Sequence, residues 1–342
     1  MLSTLLAAAA FAGSAPLKAP DFIGTADDWI NSKPIKLSDL KGKVVLVDFW
    51  EYTCVNCIRT FPYVKEWYER YHDKGLEVVM VHTPEFEFAK KKENVAEAVR
   101  RFGFTWPVLV DSQYKNWDAY GSQYWPNKYL IDKDGKIVFN HAGEGSYGEF
   151  EQHIQEELRR ANPGVELPPI MEPIRPSDRP GAVCYPTTPE MYAGTRGFSN
   201  GQFGYPSFEV GKTQSYIFPP EEAEGVFYLS GSWTPQEEHL DAAPSGSALS
   251  IRYRAKEANI VLRRSGPPVK IEVLQDGLPI PRENMGSDLS VEDGQTILNL
   301  DQPRMYSVTI NQKWGRHQLE FRPLAPGVQV YSFTFSTACE NP

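Results

Sequence analysis

Cys54 and Cys57 stand three residues apart in "VVLVDFWEYTCVNCIRTFPYV" (44–64), where a greasy run gives way to apolar residues at helical spacing. Cys-x-x-Cys can hold zinc, attach haem, form a structural disulfide or carry electrons. Zinc needs four ligands, and the other cysteines, Cys184 and Cys339, lie far away in the chain. Haem attachment needs His directly after the second cysteine, where Ile58 stands. A disulfide over so short a loop constrains little. A redox-active pair fits best, because a buried strand delivers Cys54 to a helix N-terminus. Amides and the helix dipole there are expected to pull its pKa well below the ~8.5 of a free thiol. Cys57, one turn later, is placed to resolve a mixed disulfide. Asp48 interrupts the greasy run, so burial should raise its pKa and suit it to accept a proton. Glu85, in "VHTPEFEF", is a second candidate acid, to be weighed against an ordinary solvated loop carboxylate.

The elements that must position these residues alternate. "KVVLVDFW" (43–50) and "LEVVMVHT" (76–83) read as strands buried on both faces. Helical spacing runs through 57–72, and a charged amphipathic helix is predicted over 87–102. "WPVLVD" (106–111) is a short strand. "NKYLID" (127–132) and "KIVFNHAG" (136–143) form a hairpin about Lys133-Asp134-Gly135, followed by a helix over 148–161. The fold class is α/β, with a mixed central sheet flanked by helices.

With these residues in place, "VVLVDFWEYTCVNC" resembles a thioredoxin-fold active site, and "APDF…LSDLKGKVVLVDFW" (19–50) resembles the TlpA/ResA-like extracytoplasmic redoxins. The resemblance covers roughly 19–161. It implies that Cys54 is the nucleophile and Cys57 the resolving thiol, and that Asp48 matches the family's acid. Pro62 matches the proline that kinks the active-site helix, and Glu85 aligns with an acid of the ResA-like branch. It also implies a cis-proline opposite the dithiol, which "YWPNKYLID" places at Trp125–Pro126. The substrate-facing residues are then Trp125, Pro126 and Trp50. Val55-Asn56 replaces the Gly-Pro of cytosolic thioredoxins, which leaves the redox potential and the direction of electron flow open.

Six prolines in 162–180 mark an extended linker. Beyond 183 the helical signal disappears. Short alternating runs follow at 214–219, 226–233, 248–255, 259–264, 269–274, 296–300, 305–310, 317–324 and 328–335, with an Asp-Gly turn in "QDGLP". They predict an all-β, jelly-roll-like sandwich over 183–342. A redoxin followed by such a sandwich resembles the C-terminal region of DipZ-type proteins, whose sandwich is similar to a carbohydrate-binding module. That resemblance implies carbohydrate as a ligand, with Trp233, Tyr192, Tyr205 and Trp314 as candidate platforms. It also implies a CcdA-like membrane electron donor, a domain family members carry ahead of the redoxin. Cys184 and Cys339 bracket the sandwich. Termini of a jelly roll come together, so a bridge between them stands beside two free thiols as an open reading.

Lys and Arg number 35 against 44 Asp and Glu, giving a net charge of −9. With no basic cluster, nucleic acid is not expected as a partner. The apolar run Leu5 to Ala12 is shorter than the roughly 20 residues that span a bilayer. It ends in small residues like a signal peptide but lacks a charged n-region, so residues 1–18 read as a leader or signal-like segment. The expected setting is periplasmic or otherwise extracytoplasmic, with membrane tethering as one form of it. Taken together, we expect a thiol-disulfide oxidoreductase that exchanges disulfides with protein substrates. It needs no cofactor beyond its cysteine pair and binds no metal. The alternatives are a glycan- or peptidoglycan-binding protein with an accessory redoxin domain, and a thiol peroxidase. "TCVNC" lacks the Thr-x-x-Cys arrangement of peroxiredoxins, which weakens the last.

Overall fold

The computed structural model describes residues 17–243 and 246–340. The leader reading therefore falls, except for its last two residues, outside the described residues. Among the described residues no helix is long and apolar enough to cross a membrane. They form two compact units, each assembled from separate chain segments. One comprises residues up to Trp50, Tyr63–Thr83 and Phe104–Met171; the other comprises Glu51–Pro62, Pro84–Gly103 and Glu172 onward.

The first unit holds a six-stranded mixed sheet. Its strands are β1 (Trp29–Ile30), β2 (Val44–Trp50), β3 (Leu76–His82), β4 (Val108–Val110), β5 (Asn127–Ile131) and β6 (Ile137–Ala142), in the order β1-β4-β3-β2-β5-β6. β2, β3 and β4 are parallel, while β5, β6 and β1 run antiparallel to their neighbours. Every residue of β2 is buried, as its unbroken apolar run predicts. Val45, Val47 and Phe49 share a core with Val79, Val81, Leu109 and Ile131. By strand alternation Leu46 and Asp48 point to the opposite face. Trp67 stacks on Phe150 at 5.2 Å and Tyr63 on Tyr147 at 3.6 Å. These contacts join the later turns of helix α1 (Val55–Tyr71) to the C-terminal helix Tyr147–Ala161. The β5–β6 turn closes through Gly135, whose φ of +82° suits glycine.

One local expectation is corrected and two details are added. The predicted helix over 87–102 is a 3₁₀ turn, Glu87–Lys90, and a separate helix, Lys92–Phe102, because Lys91 adopts extended backbone. A helix over Lys115–Tyr120 was not foreseen, being too short to show periodicity. Asp111 caps it by accepting from the amides of Asn116 and Trp117. The proline-rich stretch has one 3₁₀ turn, Pro176–Asp178. Upstream of it Pro168 and Met171 hydrogen-bond Gln155 and Glu151.

In the second unit one antiparallel sheet of 11 strands supplies an all-β region. The runs 248–255 and 259–264 are a single strand, Ala248–Arg264, and 305–310 with 317–324 are another, Arg304–Pro323. The polar residues read as breaks, Lys256-Glu257 and Gln312-Lys313, sit on strands that continue past them. Register shifts beside Ala255 and Ala258 let the first strand bend. Its second half therefore pairs with both Arg304–Pro323 and Val328–Ser336. Phe227, Leu249, Ile251, Ile260, Phe321 and Phe333 lie in the core this encloses. Asp276 and Gly277, both at positive φ, close a two-residue hairpin. A five-residue helix, Thr195–Ser199, interrupts the expected absence of helix. Cys184 and Cys339 face each other in a short antiparallel pair and are joined as a disulfide.

Candidate active site

The dithiol sits where β2 runs into α1. After Trp50 the chain turns: the Cys54 amide donates to the Glu51 carbonyl at 3.3 Å, and the Thr53 amide to Glu51 Oε2 at 2.6 Å. The Thr53 hydroxyl donates to the same oxygen. The amide of Ile58 then bonds the carbonyl of Cys54, so Cys54 occupies the cap position of the helix. Its Sγ accepts the amide of Cys57 at 3.2 Å, the bond an N-cap Ser or Asp oxygen makes to the third helical amide. Cys54 is half-buried and Cys57 fully buried. The Cys57 carbonyl accepts from the Thr60 hydroxyl, and Pro62 lies within the helix. Tyr52 is buried beside Phe88, and Phe86 and Phe88 both pack edge-on against Tyr331.

The electrostatics correct one expectation. The Cys57 hydrogen bonds lower the Cys54 pKa, yet burial outweighs them and pushes it up, with the carboxylates of Glu85 and Glu51 adding to the rise. A thiol ringed by acids does not ionise as freely as its helix position alone suggests. Asp48 meets its expectation: it is fully buried, and burial raises its carboxyl to about 6 against the opposing pull of Lys128. Lys128 is its cross-strand partner in β5, is itself buried, and donates to the Gly143 carbonyl at 3.3 Å.

Glu85 is no solvated loop carboxylate. Its side chain is only 14% exposed, and Oε1 accepts from the Tyr192 hydroxyl at 2.9 Å and from Arg196 at 3.1 Å. Burial, with Glu190 and Glu51 nearby, pushes its pKa up to about 8. The Trp125–Pro126 bond is cis. Pro126 is buried and its carbonyl accepts the Gly143 amide at 2.7 Å, while Trp125 lies against Trp117 at 4.4 Å. Trp50 is the misplaced residue: it is wholly buried, edge-on to His82 and Phe104, and so is core rather than a substrate-facing surface. Two of the proposed sugar platforms fail in the same way. Trp233 is wholly buried with its indole N–H on the Ser230 carbonyl, and Tyr192 is buried on Glu85. Tyr205 spends its hydroxyl on Leu229, and Trp314 stacks on Tyr185.

Sequence reasoning gave Glu51, Lys128, Tyr192 and Arg196 no role in the chemistry of the dithiol. For the first two a signal exists, a charged residue inside an otherwise apolar strand context. For Tyr192 and Arg196 there is none, since nothing local ties them to Glu85. Among the described residues no group of three or more His, Cys, Asp or Glu side chains could hold a metal ion.

A dithiol capping the helix that follows the central strand of such a sheet, with a cis-proline before β5, defines a thioredoxin-like oxidoreductase. Residues 16–154 match the Redoxin family and residues 188–336 the family described as "Thioredoxin like C-terminal domain". Thiol-disulfide oxidoreductase ResA of Bacillus thuringiensis is 35% identical over 138 residues, covering 40% of this chain and 75% of that protein. Protein DipZ of Mycobacterium bovis is 35% identical over 320 residues, covering 93% of this chain and 42% of DipZ. The chain thus spans about two fifths of the length of the DipZ relatives it matches. A thiol-disulfide isomerase structure from Corynebacterium glutamicum is 22% identical and covers 41% of this chain and 96% of that one at a TM-score of 0.38. The chain belongs to the redoxin family of thioredoxin-like oxidoreductases.

Proposed function

We propose that the Cys54–Cys57 dithiol exchanges disulfides with protein substrates outside the cytoplasm. The observation that carries this reading is the Cys57 amide on Cys54 Sγ at a helix N-terminus, which favours negative charge on that sulfur. The Cys54 thiolate attacks a substrate disulfide, forming a mixed disulfide and releasing one substrate thiolate. Cys57 loses its proton to a carboxylate and attacks Cys54 Sγ, which expels the second substrate thiolate. Two electrons pass to the substrate, and the two thiolates take up the two protons the dithiol gives up. Asp48 and Glu85 relay those protons, with pKa values raised by burial to about 6 and about 8. The dithiol carries both electrons, so the chemistry calls for no dissociable cofactor. In the reverse direction the same steps oxidise a substrate dithiol, and a CcdA-like membrane donor is the proposed source of electrons for reduction.

The Cys184–Cys339 bridge supports the extracytoplasmic setting, because structural disulfides persist in oxidising compartments and are rare in reducing ones. The test is insulin reduction with dithiothreitol and trapping of partners from a periplasmic extract. Cys54→Ser abolishes turnover, and Cys57→Ala accumulates mixed disulfides that dithiothreitol releases. Equal turnover by wild type and Cys54→Ser overturns the assignment.

A further inference from the structure

The C-terminal β region supplies two side chains that the thiol chemistry of a redoxin domain does not itself call for. Tyr192 donates to Glu85 Oε1, 107 residues earlier in the chain, and Arg196 donates to the same oxygen while lying 3.6 Å over the Tyr192 ring. Tyr192 is held firmly. Its strand pairs with Ser332, and its amide bonds Gln202 Oε1 at 3.0 Å. Gly197 comes so close to the Tyr192 carbonyl that a Cβ there would lie 1.5 Å from it. A hydroxyl fixed in this way acts as a preorganised donor rather than as a chance surface contact.

We propose that Tyr192 and Arg196 are positioning residues for Glu85, so that the C-terminal region sets the pH range over which Cys54 reacts. The inference rests on the dithiol reading above. Glu85 is faced by Tyr192, Arg196, Glu190 and Glu51, and Cys54 by Glu85, Glu51 and Cys57. The two donors favour the ionised carboxylate and oppose burial and the neighbouring acids, which favour the neutral form. An ionised Glu85 disfavours the Cys54 thiolate through like charge. The donors therefore decide where, as pH rises, Glu85 stops being a neutral neighbour and becomes a proton acceptor. Arg196 is 61% exposed, so solvent screens its contribution, and Tyr192 carries the larger part.

The experiment is the rate of Cys54 alkylation by iodoacetamide on the full chain from pH 5.5 to 9.5, read by mass spectrometry and accompanied by insulin turnover. Wild type shows an inflection that Glu85→Gln removes. Tyr192→Phe moves that inflection up by about one pH unit, the scale of a lost charge-assisted hydrogen bond. Arg196→Gln moves it the same way by less, and as a surface change it keeps the test open should Tyr192→Phe unfold the protein. An inflection that neither variant moves, or a wild-type profile that Glu85→Gln leaves unaltered, overturns the proposal. Failure of the dithiol reading is seen separately, as turnover that survives Cys54→Ser.

Discussion

Asp48→Asn gives the sharpest test of the site's electrostatics, because the shape of the side chain is kept and only its titration is removed. Burial raises the folded-state carboxyl from 3.8 to about 6. Between those two values the native protein holds a proton that the unfolded chain has released. Stability therefore falls as pH rises through that interval, and the loss is complete above the folded value. At 1.36 kcal/mol per pH unit the loss amounts to about 3 kcal/mol. Asparagine has no such ionisation, so the stability of Asp48→Asn relative to wild type improves by about 3 kcal/mol between pH 3.5 and pH 7.5. This change with pH is independent of any constant cost of leaving Lys128 without its carboxylate. Urea unfolding at half-unit steps, followed by tryptophan fluorescence and compared at matched m-values, measures it. Wild-type and variant curves that run parallel from pH 3.5 to 7.5 would refute the reasoning. The proposed role of Asp48 as proton acceptor adds a functional expectation: wild-type turnover climbs with pH and breaks near pH 6, and Asp48→Asn lacks that break.

Replacing both Cys184 and Cys339 by serine opens a loop spanning 155 residues, which on chain-entropy grounds costs up to about 5 kcal/mol; the shift in urea midpoint measures it. Insulin turnover per folded molecule is unchanged in that variant, since the bridge carries no electrons. Gly197→Ala drives a Cβ into the Tyr192 carbonyl and lowers stability by roughly 1–3 kcal/mol, read as a fall in melting temperature. Trp67→Ala empties the wholly buried site against Phe150 and costs roughly 3–5 kcal/mol in chemical denaturation.

The parts of the site legible in the sequence are those joined by a short stretch of chain. β2, Asp48, the Cys54 cap, Cys57 and Pro62 follow one another along a strand and the first turns of a helix, so spacing alone places them. The burial of Asp48 was equally readable, because its neighbours Val47 and Phe49 leave it nowhere polar to go. Trp50 was misread since a strand-end aromatic has the same local signature whether it faces solvent or His82 and Phe104. The fall in Cys54 pKa was misjudged for a related reason. The helix terminus is local, but the burial that outweighs it, and the carboxylate of Glu85 from the loop after β3 that adds to it, are not. In the β region alternation correctly marked strands yet divided two long ones, because partly exposed polar residues on a continuing strand look like turns. What no local pattern encodes is which distant side chain, such as Tyr192, closes on a given acid.

The packing of Phe86 and Phe88 against Tyr331 also orders events in time. These contacts join residues far apart in the chain, and such long-range pairings form late in folding. At about 5–20 residues per second, the ribosome takes roughly 10–50 s to pass from Phe88 to Tyr331. Throughout that interval Cys54 and Cys57 exist on a nascent chain without Tyr331, which packs on their flanking loop, and in its earlier part also without Tyr192, which binds Glu85. A newly made molecule thus has its reactive sulfurs before it has the surroundings that govern them.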